Sequence, residues 1–410
     1  MKQNKIILIL VGLLLVLLIV GGIFLHFHKK DDLVPTKEEL KPTEYKRVKL
    51  EDASEIVNYG SCTSTNEDEV CFLVINKSYL TLRNAKVTKE GDSTNIEETL
   101  NNGLNSTILV TYGSSGIVEN SVIETSAKGA PAFFVNGRKA HGDLKDTTIS
   151  TLGTASPGLV ASATGTINTN HITINTKVKD SPGVLVNKGR IELISSMIET
   201  NGSGSPVISS SDEVYIKEST GTANGSRIAI LKNNANVVID NSSMLVSGGS
   251  NEKYSESAVL IYGDKREEKS VFQSINSSLN INKNLPYYNL APFFIVDNIN
   301  SEIDLENTAF NFGSNKLIKA TNSDITMNLK NQVIYGEIEL ANSKLQLNMI
   351  ANSSYTGTIN NQEASIYLSK DSEINLTNNM YIKELKNDDP SNNNITLNGY
   401  HLYVNNELIK

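Results

Sequence analysis

After Asp52 the apolar positions of this chain follow no helical period. Short runs of β-branched and aliphatic residues alternate with Asn, Gly and Ser, and five Asn-Gly pairs start at Asn102, Asn136, Asn201, Asn224 and Asn398. That is the pattern of short strands joined by tight turns. It is also self-similar. Pro131, Pro157, Pro182 and Pro206 follow one another at 26, 25 and 24 residues, in the contexts Ala130-Pro131-Ala132, Ser156-Pro157-Gly158, Ser181-Pro182-Gly183 and Ser205-Pro206-Val207. Eight residues before each proline stands an isoleucine followed two later by a threonine: Ile123/Thr125, Ile149/Thr151, Ile174/Thr176 and Ile198/Thr200. Two independent markers with one spacing identify a repeat.

One period holds three strand-like pieces, such as residues 183–187, 190–194 and 196–200. Three short strands in about 25 residues predict one coil of a parallel β-helix, with like strands stacked about 4.8 Å apart. The strict six-residue period of the left-handed hexapeptide type is absent, so the right-handed form is expected. Ile123, Ile149, Ile174 and Ile198 should then stack as an interior aliphatic ladder. The prolines should fall at corners, where a missing N–H breaks no ladder hydrogen bond. The threonines two residues on should satisfy backbone groups near the turns. A looser pattern continues through 227–231, 236–240 and 244–246, then restarts at 257–262 and 291–296. Residues 73–385 would make roughly a dozen coils and a rod about 60 Å long.

Ahead of the repeat, residues 6–25 are twenty uncharged, almost wholly apolar positions. As a helix they would span about 30 Å, the depth of a bilayer's hydrocarbon core. The run is longer than a cleavable signal's apolar region, and Gly21-Gly22-Ile23-Phe24 offers no cleavage site. The expected arrangement is all-β with one preceding transmembrane helix. It comprises a cytoplasmic tail (1–5), a signal-anchor (6–27), a stalk (28–55), an N-terminal cap with a disulfide (56–72), the β-helix (73–385) and a C-terminal cap (386–410). This puts the protein at the cell membrane as a single-pass chain, with its bulk extracytoplasmic. Cys62 and Cys71, nine apart in an exported chain, most simply form one local disulfide, with two free thiols as the alternative.

Charge narrows the partners. With 37 Lys+Arg against 45 Asp+Glu the net charge is −8, which argues against nucleic acid. His141, His171 and His401 lie in different repeats without ligand spacing, so neither a metal nor any other cofactor is expected. Aligning the repeats gives one mixed stripe of candidate binding residues. Arg190, Glu213 and Asn236 should stack, flanked by Glu192, Tyr215 and Val238, with Lys217 against Asp240. The stripe reads either as a shallow carbohydrate groove with Tyr215 as a stacking platform, or as cross-strand charge pairing on a solvated sheet. Tyr287, Tyr288, Phe293 and Phe294 form a second aromatic concentration, either a ligand patch or the packing of an insertion.

The repeat length and the Ser-Pro-Gly corners resemble right-handed β-helix surface proteins, the pectin-lyase-like and autotransporter-passenger-like group of bacterial exported proteins. Residues 395–404 are similar to the end of such passenger domains. The chain departs from an autotransporter in lacking a C-terminal membrane barrel. The resemblance implies either display or action on polysaccharides. The polygalacturonase motifs are missing: no Asn-Thr-Asp occurs, and Asp-Asp occurs only at Asp31-Asp32 and Asp388-Asp389. The sequence therefore reads as a membrane-anchored surface adhesin or polymer/glycan-binding protein without catalytic residues. A lyase or glycoside hydrolase on the same scaffold is the alternative.

Overall fold

Each sequence repeat closes one coil of three strands, and like strands of successive coils pair in parallel. The computed structural model describes residues 46–248, 257–285, 288–359 and 361–410; the expected tail, signal-anchor and most of the stalk lie outside the described residues. Sheet A has twelve strands and sheet B fourteen. The third face is a ten-stranded sheet C continued by a four-stranded one. Among the described residues the one antiparallel pairing joins Leu402–Val404 to Glu407–Leu408. The architecture is a parallel β-helix.

Its first coil is Lys46–Glu51, Ser54–Asn58 and Ser61–Ser64, each paired with its counterpart in the next coil. Coils are thus already present at Lys46, ahead of residue 73, and residues 56–72 belong to coils instead of forming a separate cap. Cys62 and Cys71 are disulfide-bonded across the first two coils, with Cα atoms 5.9 Å apart. At the other end the coils continue past residue 385, through Ile395–Thr396 and Leu402–Val404, until the antiparallel strand closes the stack.

The interior is built by register. Ile123, Ile149, Ile174 and Ile198 pair in one column and are fully buried. Gly221 follows them; a Cβ there would lie 2.4 Å from Met244 Sδ, so the missing side chain is what admits Met244. Two residues on, Thr125, Thr151, Thr176 and Thr200 share the same inward face and are fully buried. The expectation that they serve the backbone fails for three of them. Thr125 Oγ1 accepts from Ala127 N–H at 3.3 Å, whereas the Thr151, Thr176 and Thr200 hydroxyls have no partner, because strand N–H and C=O groups already pair between coils.

Serine does serve the backbone. At one corner Ala130 N–H donates to Ser156 Oγ, Ser156 N–H to Ser181 Oγ and Ser181 N–H to Ser205 Oγ, at 2.9–3.0 Å. At another, the N–H groups of Ser196, Ser219 and Ser242 donate in turn to Ser219, Ser242 and Ser277. Each hydroxyl satisfies a buried donor that the corner has removed from the sheet ladder. The prolines beside the first chain lack only a donor. The carbonyls of Pro131, Pro157, Pro182 and Pro206 accept from Thr107, Ala132, Gly158 and Gly183. Asparagine turns the chain. Asn84, Asn120, Asn241, Asn276, Asn307 and Asn331 hold φ between 46° and 51°, a left-handed conformation that Asn tolerates.

Two departures from regularity matter. The insertion after the second coil carries α1 (Ile96–Asn102), capped by Asn95 and by Gly103 at φ 84°. Its last carbonyls, on Leu100, Asn101 and Asn102, accept from Asn187, Ser162 and Asn136, which straps the insertion across sheet A. Toward the C-terminus the coil shortens: Ile318 pairs with Ile338, and Leu345 with Ala364. There a single residue, Gly336 at φ 115°, replaces the Ser-Pro corner between the third face and sheet A.

Candidate functional site

The outer face of sheet B carries the long polar side chains. The register aligns Arg190 with Glu213 and Asn236, Glu192 with Tyr215 and Val238, and Lys217 with Asp240. These residues form one stripe, in which Arg190 engages Glu192 and Tyr215 engages Asp240 while Lys217 turns to a neighbour outside it. Arg190 bonds Glu192 at 2.8 Å, and Lys217 lies 3.7 Å from Glu218. The Tyr215 hydroxyl donates to Asp240 at 3.1 Å. Burial, followed by the Asp240 charge, raises the Tyr215 pKa above the ordinary phenol value.

Farther along the same face lies a more developed site. Three seven-residue strands, Asn300–Glu306, Asp324–Lys330 and Lys344–Ile350, alternate inward aliphatics with outward polar residues. Their register stacks Gln273, Asp304, Asn328, Asn348 and Tyr367 in one column. Asn348 Nδ2 donates to Asn328 Oδ1 at 2.8 Å, and Asn328 Nδ2 donates to Asp304 Oδ1 at 2.7 Å. From the other side Gln273 Nε2 donates to Asp304 Oδ2 at 2.8 Å. Asp304 is thus the acceptor on which the amide chain converges, a charge-assisted arrangement. Burial raises its pKa, and the two amide donors oppose that rise without cancelling it.

Beside the column an open trough of about 470 Å³ is lined by Lys269, Asn300, Asp324, Thr326, Lys344 and Gln346, among others. A second trough of about 320 Å³ shares Gln346 and extends along Asn348, Tyr367, Glu384 and Lys386. Lys269 bonds Glu302 at 2.6 Å, while Lys386 lies over the Tyr367 ring at 5.1 Å. Among the described residues no group of three His, Cys, Asp or Glu side chains could hold a metal. His141 pairs with Asp143 and His171 with Asp146, each on its own.

The sequence stripe and this site share a face but occupy different coils. Sequence reasoning stopped short of the second because its coil length changes there and breaks the 25-residue alignment. The signal was present: three long, strictly alternating strands with Asn or Asp at matching outward positions. The other aromatic concentration is core. Phe293 and Phe294 are fully buried against Phe310, with Phe312 on Phe293. Tyr288 donates to Asn311 at 2.7 Å, and Tyr287 lies outside the described residues. No helix of the described residues is long and apolar enough to cross a membrane, and the segment expected to do so lies outside them. No protein-family model, curated protein or solved structure matches the chain.

Proposed function

We propose that this protein is a right-handed parallel β-helix held at the outer face of a cell membrane by residues 6–25. It acts there as a surface adhesin or polymer/glycan-binding protein through the outer face of sheet B. The observation that carries the reading is the column from Gln273 to Tyr367 beside the open trough. Coils advance about 4.8 Å each, so the column offers one polar side chain per coil along the rod. A linear polymer with regularly spaced hydroxyls is the ligand such a ladder suits, with Tyr367 as an apolar face for a sugar ring. The stripe from Arg190 to Asp240 extends the same face toward the N-terminal end. The right-handed winding follows the strong chirality of parallel crossovers.

One observation favours the enzyme reading. Asn328 Nδ2 lies 3.3 Å from Glu302 Oε1 and 2.7 Å from Asp304 Oδ1, so these carboxylates approach to within about 6 Å, near the separation of glycosidase pairs. Against it, both Asp304 oxygens already accept amide hydrogen bonds and Glu302 is held by Lys269. Neither is left free to protonate or attack a substrate, so display is the better reading. A glycan array on residues 31–410 tests it. Asn328→Ala and Asn348→Ala should weaken any hit by roughly three- to tenfold, the worth of one hydrogen bond. Release of new reducing ends from the bound glycan would establish the enzyme instead.

A further inference from the structure

We propose that the first two coils carry a membrane-interface contact, in which Ile56, Tyr59 and Tyr79 rest against the zwitterionic headgroup region of the bilayer. The inference rests on the reading of residues 6–25 as an anchor and adds a docking surface to it. Ile56, Tyr59 and Tyr79 are 69%, 80% and 57% exposed. They are neighbours: Ser54 pairs with Tyr79 and Ile56 with Thr81, which makes Ile56 and Tyr79 diagonal partners on the outer face of sheet B. Tyr59 follows at the corner, at φ 57°. The matching corner of the next three coils carries Asn84, Asn120 and Asp146 at φ between 47° and 51°. His171 stands at the same corner of the fifth coil, at φ 57°, but among the described residues the first coil alone places a tyrosine there, in a conformation such residues rarely adopt.

Position along the chain identifies the occupant. Twenty residues, 26–45, separate the apolar run from the first strand. Fully extended they reach about 70 Å, and a solvated charged linker is shorter, so the first coil stays within reach of the surface while the far end of the rod need not. Tyrosine with an aliphatic neighbour is the composition that favours the headgroup level. The surroundings set the depth and the lipid. Exposed charges beside the patch keep it at headgroup level rather than in hydrocarbon. Asp52 and Glu55 are exposed at this end, and Lys49 is paired with Glu51. Lys77 and Arg83 are exposed beside Tyr79 as well, so the rim is mixed in charge and carries no net preference for anionic lipid, which a zwitterionic surface fits.

The chain has no tryptophan, so a single substitution creates a sole reporter. Full-length Tyr59→Trp is reconstituted into phosphatidylcholine vesicles with or without brominated acyl chains. Tyr79→Trp serves as an independent reporter should the first variant misfold. The far control is Leu290→Trp, 66% exposed and roughly 40 Å along the rod. The expected result is blue-shifted emission quenched by the brominated lipid at Tyr59→Trp, lost when Ile56→Asp is added, with water-like, unquenched emission at Leu290→Trp. Flotation with the vesicles reports the anchor and quenching reports the surface. A chain that floats with an unquenched reporter overturns the surface alone, and one that does not float overturns both. Equal quenching at both positions, or a blue shift in lipid-free protein that sediments as a dimer, also overturns the proposal; the dimer would assign the surface to a second copy.

Discussion

Ser181→Ala isolates one link of the serine chain that runs through the proline corners. Ser181 and Ser156 are fully buried. Ser181 Oγ accepts the Ser156 N–H at 3.0 Å and lies 3.0 Å from the Gly153 carbonyl and 3.2 Å from that of Lys179. Alanine fits the space, so packing barely changes. What changes is that a backbone N–H inside the corner loses its acceptor where water cannot replace it. An unsatisfied buried donor costs about 1–3 kcal/mol. The two carbonyls lose only a partial donor, which puts the expected destabilisation near 2 kcal/mol. Ser278→Ala is the control: its hydroxyl meets Ser243 on the exposed face at 2.9 Å, and its removal should stay within about 0.5 kcal/mol. Urea unfolding of residues 31–410 gives the global figure. Because stacked repeats can unfold piecewise, hydrogen exchange at the Ser156 amide gives the local one. If Ser181→Ala matches Ser278→Ala and the Ser156 amide keeps its protection, the hydroxyl is not what satisfies this corner.

Four further outcomes follow from the same structure. Ile174→Asp should cost several kcal/mol, since it places a charge in a dry ladder. Asn175→Asp, facing outward beside Lys177, should cost little, and equal losses in thermal unfolding would refute the strand register. Cys62→Ser with Cys71→Ser should remove about 2–3 kcal/mol through the short loop that the bond closes. Exchange protection should disappear first from the first coil, and uniform loss along the rod would contradict that. Lys89 is buried, its ammonium donates to the Asn66 carbonyl at 2.6 Å, and burial lowers its pKa from 10.5 to about 8. A lysine depressed on folding binds fewer protons when folded, so stability should rise between pH 8 and 10.5. Lys89→Met should remove that rise in urea titrations. In the column beside the trough, Asn328→Ala should lower glycan affinity without reducing the unfolding free energy by more than about 1 kcal/mol, because Asn328 is half-buried and outward-facing.

The amino-acid order determined the coil. A strand fixes which side chains face inward with a period of two, so a motif such as Ile174-x-Thr176 declares an interior column as soon as it recurs at a constant distance. The alignment of Arg190 with Glu213 and Asn236 needed nothing more, because parallel register within a regular repeat is simple counting. Counting fails where the coil length changes. The strands that carry Asp304, Asn328 and Asn348 lie where the repeat contracts and Gly336 replaces a longer corner, so only the paired sheet showed them to be neighbours. The ends were misjudged for a related reason. The residues before position 73 lack the proline marker, yet their backbone hydrogen bonds need a partner strand, and the next coil supplies one regardless of side-chain pattern. The buried threonine hydroxyls and the serine chains also needed three dimensions. Both residue types recur near corners, and only the fold decides which of them meets an N–H that the sheets have left unpaired.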